Sequence, residues 1–154
     1  MNYQDEKINN WHFLERHNTV EYIVITHLYV EHGIDYLIFK KCKNKNKILD
    51  DNRTYSFAVK LNLCFEMELI SETLYKYIKV LNLIRNKLVH NLDVDYITLK
   101  NNLTKIVGNT MFLTGEFIKS DNELDLQKYL IMDIGNNTVK PLHNLIKDKY
   151  LEKK

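Results

Sequence analysis

A chain of 154 residues with 45% hydrophobic content is enough for one ordinary domain with its own core. Lys+Arg 22 against Asp+Glu 20 leaves a net charge of +2, which excludes a strong whole-protein field and any assignment of nucleic-acid binding on charge alone. Cys42 and Cys64 lack metal-ligand spacing and read as reduced thiols, and with no signal-like start and no apolar run of roughly 18 residues the expected location is the cytoplasm, away from membranes.

Gly 4 and Pro 1 are low counts for a protein of strands and turns, and apolar positions recur at three and four. The predicted fold class is all-α: a single-domain bundle of five or six helices over 1–154, with its core at about 11–133. A long first helix runs from about Trp11 to Lys41, with the stripe Val20, Ile23, Val24, His27, Val30, Ile34, Leu37 and Ile38, and Gly33 as a point of looseness or bending. Tyr22, Tyr29 and Tyr36 repeat at seven in it and suit core or dimer packing. The polar stretch from Lys40 to Arg53 reads as a solvated surface loop. A second helix lies within Thr54–Leu69, with Phe57, Leu61, Cys64, Phe65 and Leu69 on one face. Ser71 caps a third helix ending near His90. A fourth spans roughly Tyr96 to Ile118, and a short fifth follows Ser120 or Asp121 as its cap. "GNN" at Gly135–Asn137 breaks the chain before a last helix at about Pro141 to Leu151.

The third helix carries the anomaly. Leu74, Tyr77, Ile78, Leu81, Ile84 and Leu88 form an apolar stripe, and Arg85 falls inside it. Asn82, Asn86 and His90 stack at i, i+4 and i+8 along its flank, which sets Arg85 and His90 about 140° apart on an ideal helix. The length of arginine, a helix end at His90 and Asn91, or a partner subunit would each bring the two into one site. A guanidinium among apolar neighbours is costly unless paired or hydrated. The residues alone leave two roles open: a structural arginine bonded to Glu21, Glu31 or Asp35 of the first helix, or a functional one.

"RNKLVH", Arg85 to His90, resembles the R-x4-6-H signature of HEPN domains, in which a polar residue often follows the arginine, as Asn86 does here. The wider stretch from Ser56 to His90 is similar to the mannitol operon repressor branch of that superfamily. There a phenylalanine, a lysine three on, an apolar helix, a "GLIS" turn and an "L-x-x-I-R-N" helix follow in order. This chain has Phe57, Lys60, "LIS" at Leu69–Ser71 and "LNLIRN" at Leu81–Asn86, with Glu68 where the pattern has glycine. The similarity covers roughly Thr19 to His90.

The resemblance implies a metal-independent endoribonuclease, a toxin or phage-defence effector in kind, working as a homodimer that pairs two motifs across one cleft. Arg85 would hold the phosphoryl oxygens, His90 would be acid or base, and Asn86 would orient either group. RNA would be the substrate and an antitoxin or operon protein a possible partner; no cofactor and no metal is expected. "HFLERH" at His12–His17 lacks a metal-binding order. HEPN toxins paired with a minimal nucleotidyltransferase often carry R-x4-H-x-Y, and here that tyrosine position is Leu92. Members of the mannitol-repressor branch are also described as regulators. The alternative expectation is therefore a non-catalytic regulator or adaptor, acting through protein contacts.

Overall fold

The first helix, α1 (Thr19–Lys41), is the axis on which the others lie. Its apolar stripe is continuous from Ile23 through Val30, Ile34, Leu37 and Ile38, all buried, whereas Val20 at its start is exposed. The computed structural model describes residues 19–90, 95–107 and 119–151. Trp11, the His12–His17 run, Asn91, Leu92 and the segment 108–118 lie outside the described residues, as do the expected beginning of the first helix and end of the fourth.

Four further segments follow: α2 (Lys45–Leu49), α3 (Phe57–Glu66), α4 (Glu72–His90) and α5 (Tyr96–Val107). Then α6 (Glu123–Ile134) passes through a π-helical turn at Gly135–Val139 into α7 (Lys140–Ile146), and a second π-helical turn covers Lys147–Leu151. Every regular element among the described residues is helical, and the chain is an all-α bundle. α4, α3, α6 and α7 all lie against α1. One core takes buried side chains from α1, α3, α4, α5, α6 and α7.

The α4 stripe packs as its spacing predicts: Leu74, Ile78, Leu81, Ile84 and Leu88 are buried. Ser71 Oγ accepts from the Leu74 amide at 3.2 Å, the expected cap. Tyr22 and Tyr36 are buried in the core, and burial pushes the Tyr29 phenol up to about 12. Both cysteines are free, and burial, aided by nearby Cys42 and Asp35, pushes the Cys64 thiol up to about 12.

Four local expectations are corrected. The polar stretch after α1 contains a helical turn, α2, because Ile48 and Leu49 reach the core and give that turn something to bury. α6 is capped by Asn122, whose side chain accepts from the Leu124 and Asp125 amides at 3.0 and 3.2 Å; Asp121 instead binds Lys100 Nζ at 2.8 Å. "GNN" does not break the chain. Gly135 keeps helical dihedrals (φ −59, ψ −49), and the widened turn buries Gly135, Thr138 and Val139, with Thr138 Oγ1 donating to the Ile134 carbonyl at 2.6 Å. Pro141 explains the widening: it has no N–H to give and its ring crowds the carbonyl four residues back, so one extra residue is accommodated there. Gly33 does not loosen α1. It lets α7 approach, since a Cβ there would sit 2.6 Å from Leu142 Cδ2.

α3 ends in a Schellman motif. The Leu69 amide bonds the Cys64 carbonyl and the Glu68 amide bonds the Phe65 carbonyl, both at 2.9 Å. This requires a left-handed residue, and Glu68 supplies it with φ 55, the one non-glycine residue with positive φ among those described. Glutamate pays steric strain there that glycine would avoid. Glu68→Gly is expected to stabilise the fold by roughly 0.5–1 kcal/mol, raising the melting midpoint by about 2 °C in a thermal scan.

Candidate functional site

α4 meets α1 along the edge that carries Arg85. Arg85 is half-buried, and its Nη1 donates to Asn86 Oδ1 at 2.8 Å. None of the carboxylates expected to hold it does so. Among the described residues Arg85 forms no ion pair; Asp35 lies against Lys60 instead, 3.0 Å from its Nζ, and Glu31 stands 4.0 Å from His27 Nδ1. Among the described residues Asn86 alone takes a donor of the guanidinium.

One turn before Arg85, Asn82 reaches across to α1. His27 is only 5% exposed, and its Nε2 lies 2.9 Å from Asn82 Oδ1. That oxygen can only accept, so Nε2 carries the proton and donates. The other side of the imidazole packs on Phe57 of α3, ring centroids 4.5 Å apart. Phe57 and the "LNLIRN" segment, far apart in sequence, thus meet around one histidine.

Burial, the largest influence, holds His27 below its ordinary value of 6.5; the Asn82 bond acts the other way, Arg85 lowers it further and Glu31 opposes. The unfolded chain therefore takes up this proton at a higher pH than the folded one. Stability from this group is complete above about 6.5 and is lost as pH falls below that value toward the depressed folded one. The drop in melting temperature between neutral and mildly acid buffer is expected to be smaller in His27→Gln than in the native chain.

His90 closes α4 and is exposed. Asn86 is half-buried beside Arg85. The structure thus joins Arg85 to Asn86 directly, while His90 stands at the helix end on the exposed side. In the sequence His27 stands in the apolar stripe of the first helix and Asn82 on the flank of the third, and neither is marked as a site residue. The available signal was a histidine interrupting the very stripe that faces the stripe interrupted by Arg85.

In the sequence Lys60 stands out only through the resemblance. It is 2% exposed, and its Nζ donates to Asn52 Oδ1 at 3.0 Å while lying beside Asp35. Asp35 Oδ1 receives no well-directed hydrogen bond, so that contact is Coulombic. The lysines near the end of α1 are partly engaged: Lys40 lies over Tyr36, Lys41 over Tyr150 and Lys45 over Phe39, at 5.3, 5.5 and 3.9 Å. Among the described residues no group of three or more His, Cys, Asp or Glu comes together as a metal site, and no helix is long and apolar enough to cross a membrane. Comparison with family models, curated proteins and solved structures gives no match.

Proposed function

We propose that this chain is a metal-independent endoribonuclease of the HEPN kind, cleaving RNA by attack of the 2′-hydroxyl on the adjacent phosphate. The observation that carries the reading is Arg85: a permanent cation, half-buried on an apolar-flanked helix, with no carboxylate partner among the described residues. Such a group is costly unless paired or hydrated, and its planar donor fork suits a phosphoryl group. Asn86 holds one arm of the guanidinium, and His90, solvent-facing, serves as acid or base. Glu68 supports the resemblance from another side, since its left-handed backbone falls where the similar pattern has glycine.

The active form is a two-fold homodimer with the ends of α4 near the axis. Val89, 40% exposed beside His90, is the apolar residue such a seam would cover. RNA is the substrate, and an antitoxin or operon protein would restrain the enzyme in the cytoplasm.

The same exposed end of α4 keeps a second reading in view, that of a non-catalytic regulator acting through protein contacts with Arg85 as a structural residue. Induced expression and a melting scan separate the two. The nuclease reading expects growth arrest relieved by Arg85→Ala or His90→Ala, with little change in melting temperature. The regulator reading expects no RNA cleavage and a clear loss of stability in Arg85→Ala. Equal toxicity from the double variant sinks the assignment of both residues.

A further inference from the structure

We propose that Asn82 is a phosphate-binding residue of the Arg85 site and that His27 is the positioning residue that turns its amide outward. This deepens the reading of Arg85 as a phosphate-binding group and rests on it.

Asn82 Oδ1 is taken by His27 Nε2 at 2.9 Å, and Asn86 Oδ1 by Arg85 Nη1 at 2.8 Å. Each amide oxygen is thus already turned toward a donor of the protein, His27 or Arg85. What remains on each is an NH2 group, and among the described residues nothing takes those donors. On the helix wheel Asn82 lies about 60° from Arg85 and Asn86 about 40° beyond Asn82, so all three belong to one edge. His90 lies roughly 40° further on, so the two asparagines fill the arc that separates Arg85 from His90. That edge offers two NH2 groups and a guanidinium, with both amide oxygens turned toward donors of the protein, an arrangement that suits an anion.

His27 is what makes the orientation of Asn82 definite. An unrestrained asparagine amide can rotate and offer its oxygen, which would repel a phosphate. Here the imidazole is clamped between Phe57 and α4, and its N–H selects the oxygen. Glu31 of α1 lies 4.0 Å from the other ring nitrogen, beyond hydrogen-bonding reach, and does not draw the imidazole away from Asn82. His27 is too buried to touch the ligand and acts only through Asn82.

The test follows the full-length, isotope-labelled chain by NMR while inorganic phosphate is added. The Arg85 Nε–H and Asn82 side-chain NH2 signals should move together and saturate in the millimolar range. His27→Gln keeps a donor for Asn82 and should bind phosphate almost as the native chain does. His27→Ala and Asn82→Leu should each weaken binding about tenfold, the size of one lost charge-assisted hydrogen bond. Asn82→Asp should fold and abolish binding, because its carboxylate occupies Arg85. An Asn82 signal that stays still while Arg85 titrates overturns the proposal even if a variant fails to fold. So does native affinity in Asn82→Leu, or the absence of any saturable shift. Phosphate binding with this pattern in a chain that cuts no RNA leaves the donor site standing and removes the ribonuclease. RNA cleavage with KM and kcat untouched by Asn82→Leu does the reverse.

Discussion

Lys60→Ala is expected to destabilise the fold by about 3 kcal/mol, the low end for removing one partner of a buried ion pair. The ammonium is 2% exposed and sits between Asp35 and Asn52, so its loss leaves Asp35 without its cation and frees the turn before α3. The Asp35 carboxylate remains 21% exposed and keeps some water, which is why the low end applies. Urea unfolding of the native chain, Lys60→Ala and the double change Lys60→Met with Asp35→Leu checks this. The double variant should recover most of the loss, since an apolar pair of similar volume carries no desolvation cost. A Lys60→Ala chain as stable as the native one would show that the pair contributes nothing.

Arg85→Ala is expected to lower RNA cleavage by roughly 10²–10³, the cost of removing one group that stabilises transition-state charge. Stability should change by less than about 1 kcal/mol, because the side-chain bond lost is one partly exposed contact to Asn86. Arg85→Lys should recover little, since a single ammonium cannot span two phosphoryl oxygens as the planar fork does. His90→Ala should lower cleavage by about 10²–10⁴, the usual contribution of a positioned acid or base. Single-turnover rates beside thermal scans of the same samples separate chemistry from folding. A large melting shift in Arg85→Ala would return the residue to a structural role.

The fold was legible where local pattern and tertiary need coincide. The α4 stripe and its Ser71 cap are local facts, and both stand in the structure. The turn at Gly135–Val139 was illegible because glycine and asparagine report local preference, whereas burial of Thr138 and Val139 and the proline behind them decided the outcome. α2 escaped because one helical turn has no periodicity to read; only Ile48 and Leu49 against the core hold it.

The candidate site was half legible. Arg85 announced itself as a charge inside an apolar stripe. Which carboxylates meet it is a tertiary question, and among the described residues Asp35 goes to Lys60 instead. His27 and Asn82 stand 55 residues apart in the chain, and no spacing rule links them. Each also had an unremarkable local reading, one in a buried stripe and one on a polar flank.

The central claim, that Arg85 and His90 cut RNA without a metal, is tested most directly by the ends of the product. Purified native chain in EDTA should leave a 2′,3′-cyclic phosphate and a free 5′-hydroxyl on RNA, and should not cut the same sequence with 2′-methoxy sugars. Arg85→Ala and His90→Ala should each leave nearly all of the RNA uncut in the time the native chain takes to consume it. Cleavage that requires added magnesium or manganese, that proceeds equally on DNA, or that runs at the native rate in both variants would contradict the account.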